Sequence, residues 1–248
     1  MAKVEVVSVA NRVPDRSREP YYNYDAFVDG LRKFDSAPSV IGLGEPWGGL
    51  MTIPRRMRQW LREGRCRSEV LIFSNCFDVV FAAHPEEVAA RWGGGDEVMF
   101  NAEKDLFPRG DLKNAFPDMG FPWRYLNSGL YIGKPGNILA MLEAMNMDDI
   151  ADDHRADDDL HGGAGKMVHV NDQGWFQFLF AAHPVPMTLD CKCEAFQSLS
   201  SCTWDEFDLS KNKIVNKVTG TTPLVFHANG AAKNEMLPDL CRKFGLVP

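Results

Sequence analysis

The sequence predicts a single α/β domain, an open sheet of buried strands flanked by helices. Three observations predict it. Residues 4–10 form a near-continuous apolar run and residues 70–73 an apolar run without polar alternation, the pattern of strands covered on both faces as in a parallel sheet. Segments with helical spacing alternate with such runs, the first carrying Phe27, Val28, Leu31 and Phe34. The chain has 248 residues, 45% of them hydrophobic, which is one domain with a substantial core.

Taken in order, residues 4–10 form the first central strand, and the polar stretch 11–23 with its two prolines is a loop. Residues 25–34 form a helix and 39–43 a short strand. That strand runs into Gly44-Glu45-Pro46-Trp47-Gly48-Gly49. Glycines let a main chain approach a ligand, and a tryptophan covers a planar base or sugar; a tight turn with a core tryptophan fits the same residues. Residues 53–63 form an amphipathic helix, with Ile53, Met57, Trp60 and Leu61 on one face. Arg55, Arg56, Arg58 and Arg62 lie off that face and are followed by Arg65 and Arg67. This cluster is either a solvated helix face or a phosphate-binding surface.

Beyond strand 70–73, Pro85–Trp92 is a helix ended by Gly93-Gly94-Gly95. Residues 97–100 form a strand with Glu103 just past its end, so Asp78 and Glu103 are expected to follow neighbouring strands and face one crevice. Residues 107–123 form an irregular loop. Asn127-Ser128-Gly129 is a turn ahead of a short strand and offers donors to a sugar. Residues 137–145 form a helix. The Asp/Gly-rich stretch 147–169 predicts a mobile surface loop of the kind that covers active sites; its His154, His161 and His169 match no standard zinc spacing. Asn171-Asp172-Gln173 opens a helix, where Asp172 serves as a cap or as a site residue. Residues 187–189 form a strand ending at Asp190, and 224–226 form the last strand, ending at His227-Ala228-Asn229-Gly230.

Candidate chemistry gathers past the ends of these strands. Asn75 and Asp78 are oxygen donors three residues apart. A hard divalent ion such as Mn²⁺ or Mg²⁺ takes such ligands and bridges to a diphosphate; an Asx turn with a helix cap accounts for them equally. His227, past a core strand, is either a ligand or structural. The formal charge of −7 disfavours a general nucleic-acid coat but permits a local basic patch. No run of ~18 apolar residues predicts a membrane span. The first residues lack the pattern of a signal peptide, which leads to a cytoplasmic expectation. Six cysteines, none in C-x-x-C spacing, are expected as free thiols.

Eight blocks in order, VVSVA, IGLGEPW, LIFSNCFDVVFA, VMFNAE, YLNSGLYIG, NDQGWF, LDCKCEAFQ and VFHANGAAK, resemble the glycosyltransferase domain of the procollagen lysyl hydroxylases and its stand-alone microbial and viral relatives. The resemblance implies a GT-A fold, a Rossmann-like sheet binding a UDP-sugar with a divalent metal, typically Mn²⁺. A D-x-x-D block and a late histidine hold that metal in the family, which carries over to Asn75, Asp78 and His227. Asn75 departs from the family's aspartate: its amide gives one oxygen and no charge. The glycine-rich loop carries Gly44, Trp47 and Gly48 over as donor-binding residues, joined by Asn75, Asn127, Ser128, Gly230 and Lys233. Asp172 and Asn171 are the implied catalytic residues, and the implied reaction is retaining. The expected activity is transfer of a hexose, glucose or galactose, to a hydroxyl of a macromolecular acceptor. That acceptor is a hydroxylysine-type or glycosylated protein, or a hydroxymethylated base in viral DNA. The alternative is a non-catalytic nucleotide-sugar or carbohydrate-binding module.

Overall fold

The structure, a computed structural model, describes residues 3–15, 17, 19, 23–145, 147, 171–210 and 213–247. Its centre is a six-stranded sheet. In chain order the strands are β1 (Val4–Val9), β2 (Ser39–Ile41), β3 (Val70–Ser74), β5 (Val98–Glu103), β6 (Tyr125–Gly133) and β7 (Met187–Asp190). Across the sheet they run β2-β1-β3-β6-β5-β7. A smaller sheet joins β4 (Val79–Phe81), β8 (Phe196–Ser198) and β11 (Val225–His227), with β11 in the middle. A two-stranded ribbon, β9 (Phe207–Asp208) with β10 (Val215–Asn216), completes the strands.

The central strands are buried on both faces, and alternation divides their side chains between two cores. Leu71 and Phe73 of β3 join one apolar cluster, while Val70 and Ile72 join the other. The first core packs under α2 (Thr52–Arg62), α4 (Pro135–Glu143) and α5 (Asp172–Ala182) through Met57, Trp60, Ile138, Met141 and Phe176. The second takes Phe27 and Leu31 from α1 (Tyr24–Arg32) and Val88 from α3 (Pro85–Trp92). Aromatic rings fill the first: Tyr131 stacks on Phe73 at 4.7 Å between centroids and lies 5.0 Å from Phe100.

Helix ends follow their chemistry. Asn23 caps α1 by accepting from the Ala26 N–H at 3.0 Å. α3 ends where Gly93 takes φ 82°, a left-handed turn that suits glycine. Asn171 caps α5, its Oδ1 accepting from the Gly174 N–H at 3.2 Å. Two short helices, α6 (Ala232–Glu235) and α7 (Leu237–Lys243), close the described chain.

The structure corrects three expectations and describes the arginine cluster. The sheet is mixed rather than parallel, because β6 runs antiparallel to both β3 and β5; burial on both faces sets composition, not direction. β6 lies between β3 and β5, so Asp78 and Glu103 do not follow neighbouring strands, and Glu103 is the last residue of β5 rather than a residue beyond it. Asn127-Ser128-Gly129 is no turn ahead of a strand but lies inside β6, at a bulge where the pairing jumps from Phe100↔Tyr131 to Asn101↔Asn127. The arginine cluster on α2 is largely ion-paired or buried. Arg56 pairs with Glu45, Arg62 bonds Glu143 at 3.0 Å, Arg65 meets Glu63 at 3.6 Å, and Arg58 is buried.

The expected mobile loop at 147–169, with His154, His161 and His169, lies outside the described residues except for Met147, which is buried. None of the six cysteines is in a disulfide. Among the described residues no helix is long and apolar enough to cross a membrane.

The hydroxyl of Tyr131 is buried and finds no hydrogen-bond partner among the described residues. A buried donor left unpaired costs about 1–3 kcal/mol. Tyr131→Phe is therefore expected to raise stability by about 1 kcal/mol in urea unfolding, because it removes that cost and keeps the ring stack. A loss of stability would mean that the hydroxyl is bonded.

Candidate active site

β3 and β5 end at the same edge of the sheet, and β6 begins there. Carboxyl ends of strands in open α/β sheets are where ligands bind. A cavity of about 730 Å³ opens at this edge. Every predicted site residue lines it except Gly44, Trp47 and Gly48.

Asp78 forms the charged floor. It sits between β3 and β4 and is only 5% exposed. The small sheet brings its partners. β11 pairs antiparallel with β4 so that His227 lies opposite Val79, and the Ala228 N–H donates to the Asp78 carbonyl at 2.8 Å. His227 Nε2 then lies 3.3 Å from Asp78 Oδ1, and Lys233 Nζ, on α6, lies 3.5 Å from Oδ2. Burial resists ionisation of Asp78, but His227 and Lys233 outweigh it and hold the carboxyl below the ordinary aspartate value.

The bulge in β6 supplies the next wall. Asn127 Oδ1 lies 3.0 Å from His227 Nδ1, and Asn75 borders the same space, its backbone N–H donating to the Gly129 carbonyl at 2.8 Å. The first turn of α5 supplies the third. Asp172 is buried, and burial lifts its carboxyl to about 6 against a hydrogen bond from the Ser128 hydroxyl. Asn171 beside it lines the cavity while capping the helix. Gly230 takes φ 62° after β11, and a side chain there would press on Ser200 Oγ at 3.2 Å.

Glu103 is the residue the sequence undervalued. Its Oε2 accepts from Asn229 Nδ2 at 2.7 Å and Asn127 Nδ2 at 3.2 Å, and its Oε1 accepts from Gln173 Nε2 at 2.8 Å. Burial dominates those three bonds and lifts its carboxyl to about 8. Asn229 and Gln173 stood inside two of the sequence blocks, but nothing local said that their side chains converge. Ser200 and Phe107 also line the cavity, and no local pattern marked either.

Gly44, Trp47 and Gly48 lie apart. Trp47 packs against the first core, and it shares with Gly48, Thr52, Arg55 and Arg56 a separate hollow of about 360 Å³. The Gly48 N–H donates to Thr52 Oγ1 at 2.9 Å, and the Gly44 N–H to the Asn11 carbonyl at 2.7 Å.

The donor set can be tested for a divalent cation. His227 Nε2 is buried and lacks a hydrogen bond among the described residues, although it faces a carboxylate oxygen. A ring nitrogen and a carboxylate oxygen held side by side suit one shared cation of the Mn²⁺ type. Among the described residues no group of three His, Cys, Asp or Glu gathers in a metal-binding arrangement. The residues therefore fit a cation through two protein ligands, with the Asn75 amide as a neutral oxygen beside them.

This fold, a mixed sheet with a polar cavity at its carboxyl edge, is a GT-A-like glycosyltransferase fold. A crystal structure of a glycosyltransferase involved in glycosylation of the major capsid of PBCV-1 shares it, with a TM-score of 0.50, 8% identity, and coverage of 95% of this chain and 98% of that one. The family model of the PLOD GT domain matches residues 2–156, and the chain belongs to that family. Relatives include procollagen-lysine,2-oxoglutarate 5-dioxygenase 2 of Mus musculus, 26% identical over 93% of this chain. The corresponding Drosophila melanogaster dioxygenase is 28% identical over 94%, and the human multifunctional procollagen lysine hydroxylase and glycosyltransferase LH3 is 25% identical over 86%. The chain spans about 30% of the length of these relatives.

Glu103 and Asp172 bind a proton more tightly in the folded than in the unfolded chain, where values near 4.5 and 3.8 apply. The stability from those protons is complete below the unfolded values and is lost as pH rises through about 6 for Asp172 and about 8 for Glu103. Unfolding free energy is expected to fall between pH 6 and 8 by up to about 1.4 kcal/mol per pH unit. In Glu103→Gln that slope disappears. Denaturant titrations of both proteins across this range check it, and parallel curves would contradict it.

Proposed function

We propose that the protein is a retaining hexosyltransferase, moving glucose or galactose from a UDP-linked donor to a hydroxyl of a macromolecular acceptor. The observation that carries this reading is the buried Asp78 carboxylate with His227 and Lys233 within 3.5 Å, at the floor of the cavity. Membership of the PLOD GT domain family supports the same chemistry.

Cleaving a sugar–phosphate bond leaves new negative charge on the diphosphate and positive charge on the sugar. Lys233 supplies a cation at the diphosphate end. A divalent cation held by Asp78 and His227, with the Asn75 oxygen beside them, would supply Lewis-acid stabilisation of the same charge. Asn75 removes one negative charge from that ligand set, so its hold on the metal rests more heavily on Asp78. Asn127 and Ser128 offer an amide and a hydroxyl to sugar hydroxyls. Asp172, once ionised, faces the developing positive charge or orients the acceptor hydroxyl. For retention, the acceptor oxygen bonds to the anomeric carbon on the face that the phosphate leaves. The carbon–oxygen bond to phosphate breaks, and the acceptor proton passes to the departing phosphate oxygen.

Of the two acceptor classes, the protein hydroxyl is favoured. The DNA reading rests on the α2 arginines, and Arg56, Arg62 and Arg65 are ion-paired while Arg58 is buried. A donor panel of UDP-sugars with and without Mn²⁺, with collagen-type peptide and hydroxymethylated DNA as competing acceptors, tests the proposal. Tight UDP binding with no sugar release from any donor would favour a binding module instead.

Asp172→Ala is expected to lower kcat at least ~100-fold while leaving UDP affinity within about threefold. In the wild type, kcat/KM is expected to rise as pH passes about 6, when Asp172 ionises, and this limb should vanish in the variant. Unchanged turnover would remove Asp172 from the mechanism.

A further inference from the structure

We propose that Glu103 is a positioning residue for His227, acting through the side-chain amide of Asn127, with Gly129 as the seat on which the ring lies. The proposal deepens the reading above and rests on it, since it concerns which ring nitrogen His227 presents to the Asp78 corner.

An imidazole has two nitrogens, and the one that offers its lone pair is set by what the other binds. His227 Nδ1 lies 3.0 Å from Asn127 Oδ1. A carboxamide can present either end, so this contact alone does not decide the ring's form. Two further bonds fix the amide. The Gly129 N–H donates to Asn127 Oδ1 at 3.0 Å, which makes that atom the acceptor. Asn127 Nδ2 donates to Glu103 Oε2 at 3.2 Å. A flipped amide would set an NH₂ against the Gly129 N–H and would take from Glu103 Oε2 the Nδ2 donor it now accepts from. The neutral ring must then carry its hydrogen on Nδ1 and turn the lone pair of Nε2 towards Asp78 Oδ1, 3.3 Å away.

Glu103 can impose this because it is itself held from three directions. Asn127 reaches it from β6, Gln173 from α5 and Asn229 from the loop after β11. Each amide passes the constraint on: the Gln173 oxygen accepts from the Ser128 N–H at 3.1 Å, and the Asn229 oxygen from Ser198 Oγ at 2.8 Å. The end of β5 is thereby tied to the end of β11, which carries His227.

Gly129 completes the arrangement. A Cβ built there would stand 2.2 Å from His227 Cε1 and 2.8 Å from both ring nitrogens. The ring lies on the bare backbone of β6, and any side chain at this position displaces it.

The test uses the full chain labelled with ¹⁵N-histidine and free of metal, read by long-range ¹H–¹⁵N correlation, with His227 assigned from a His227→Gln variant. The expected spectrum shows the Nδ1–H form, and an Nε2–H form in the wild type overturns the proposal whether or not any variant folds. Glu103→Met removes the acceptor. It should give a mixture of both forms and weaken binding of Mn²⁺ alone, followed by EPR, by about 10-fold or more. A folded Glu103→Met protein with the wild-type form and Mn²⁺ affinity within about twofold also overturns it. Gly129→Ala should lose the Nδ1–H signature outright. If the wild type binds no Mn²⁺ yet the ring form changes as described, the positioning role stands and the metal-assisted reading falls.

Discussion

A carboxylate taken out of water needs opposite charge beside it, and Asp78 imposes that demand on the whole active-site edge. Removing one partner from a buried ion pair costs about 3–5 kcal/mol, so the groups around Asp78 are fixed as firmly as a core. The small three-stranded sheet meets the demand. β11 docks beside β4, sets His227 opposite Val79, and leads through a short turn to Lys233 on α6. The backbone bond from Ala228 to the Asp78 carbonyl clamps the same junction. Residues nearly 150 positions apart in the sequence thus meet because one three-residue strand pairs with another.

The three buried acids of the cavity are driven apart by their surroundings. Asp78 is buried, yet His227 and Lys233 beside it hold it below its ordinary value. Asp172 has only hydroxyl and backbone donors and rises to about 6. Glu103, the most enclosed by amides, rises to about 8. Environments that separate acids in this way are how one site assigns different duties to chemically similar groups. In the proposed reaction Asp78 serves the diphosphate, Asp172 the sugar or acceptor, and Glu103 the geometry of both.

Much of this was legible in the sequence, and what was not has a physical reason. A near-continuous apolar run revealed β1 and an unbroken one β3, because each strand feeds both cores: in β3, Leu71 and Phe73 one, Val70 and Ile72 the other. The same burial hides direction, which is why antiparallel β6 was not foreseen. β4 and β8 have three residues each, too few for any period to register. Asn75, Asp78, Asn127, Asp172 and His227 could be nominated singly, since polar residues beside apolar runs and at a helix start stand out. Their pairing could not, because it depends on a bulge in β6 and on the register of β11. Likewise Arg56 and Arg62 look like free charge in the sequence, and their partners Glu45 and Glu143 become visible only in space.

Belonging to the PLOD GT domain family frames these details. The account turns on Asp78 and His227 sharing a cation beneath a diphosphate. Pulsed EPR of the Mn²⁺–UDP complex, prepared with ¹⁵N-histidine, tests it most directly. The account predicts a single directly bound histidine nitrogen whose coupling disappears in His227→Ala. A manganese signal with no histidine nitrogen in the wild type would contradict it.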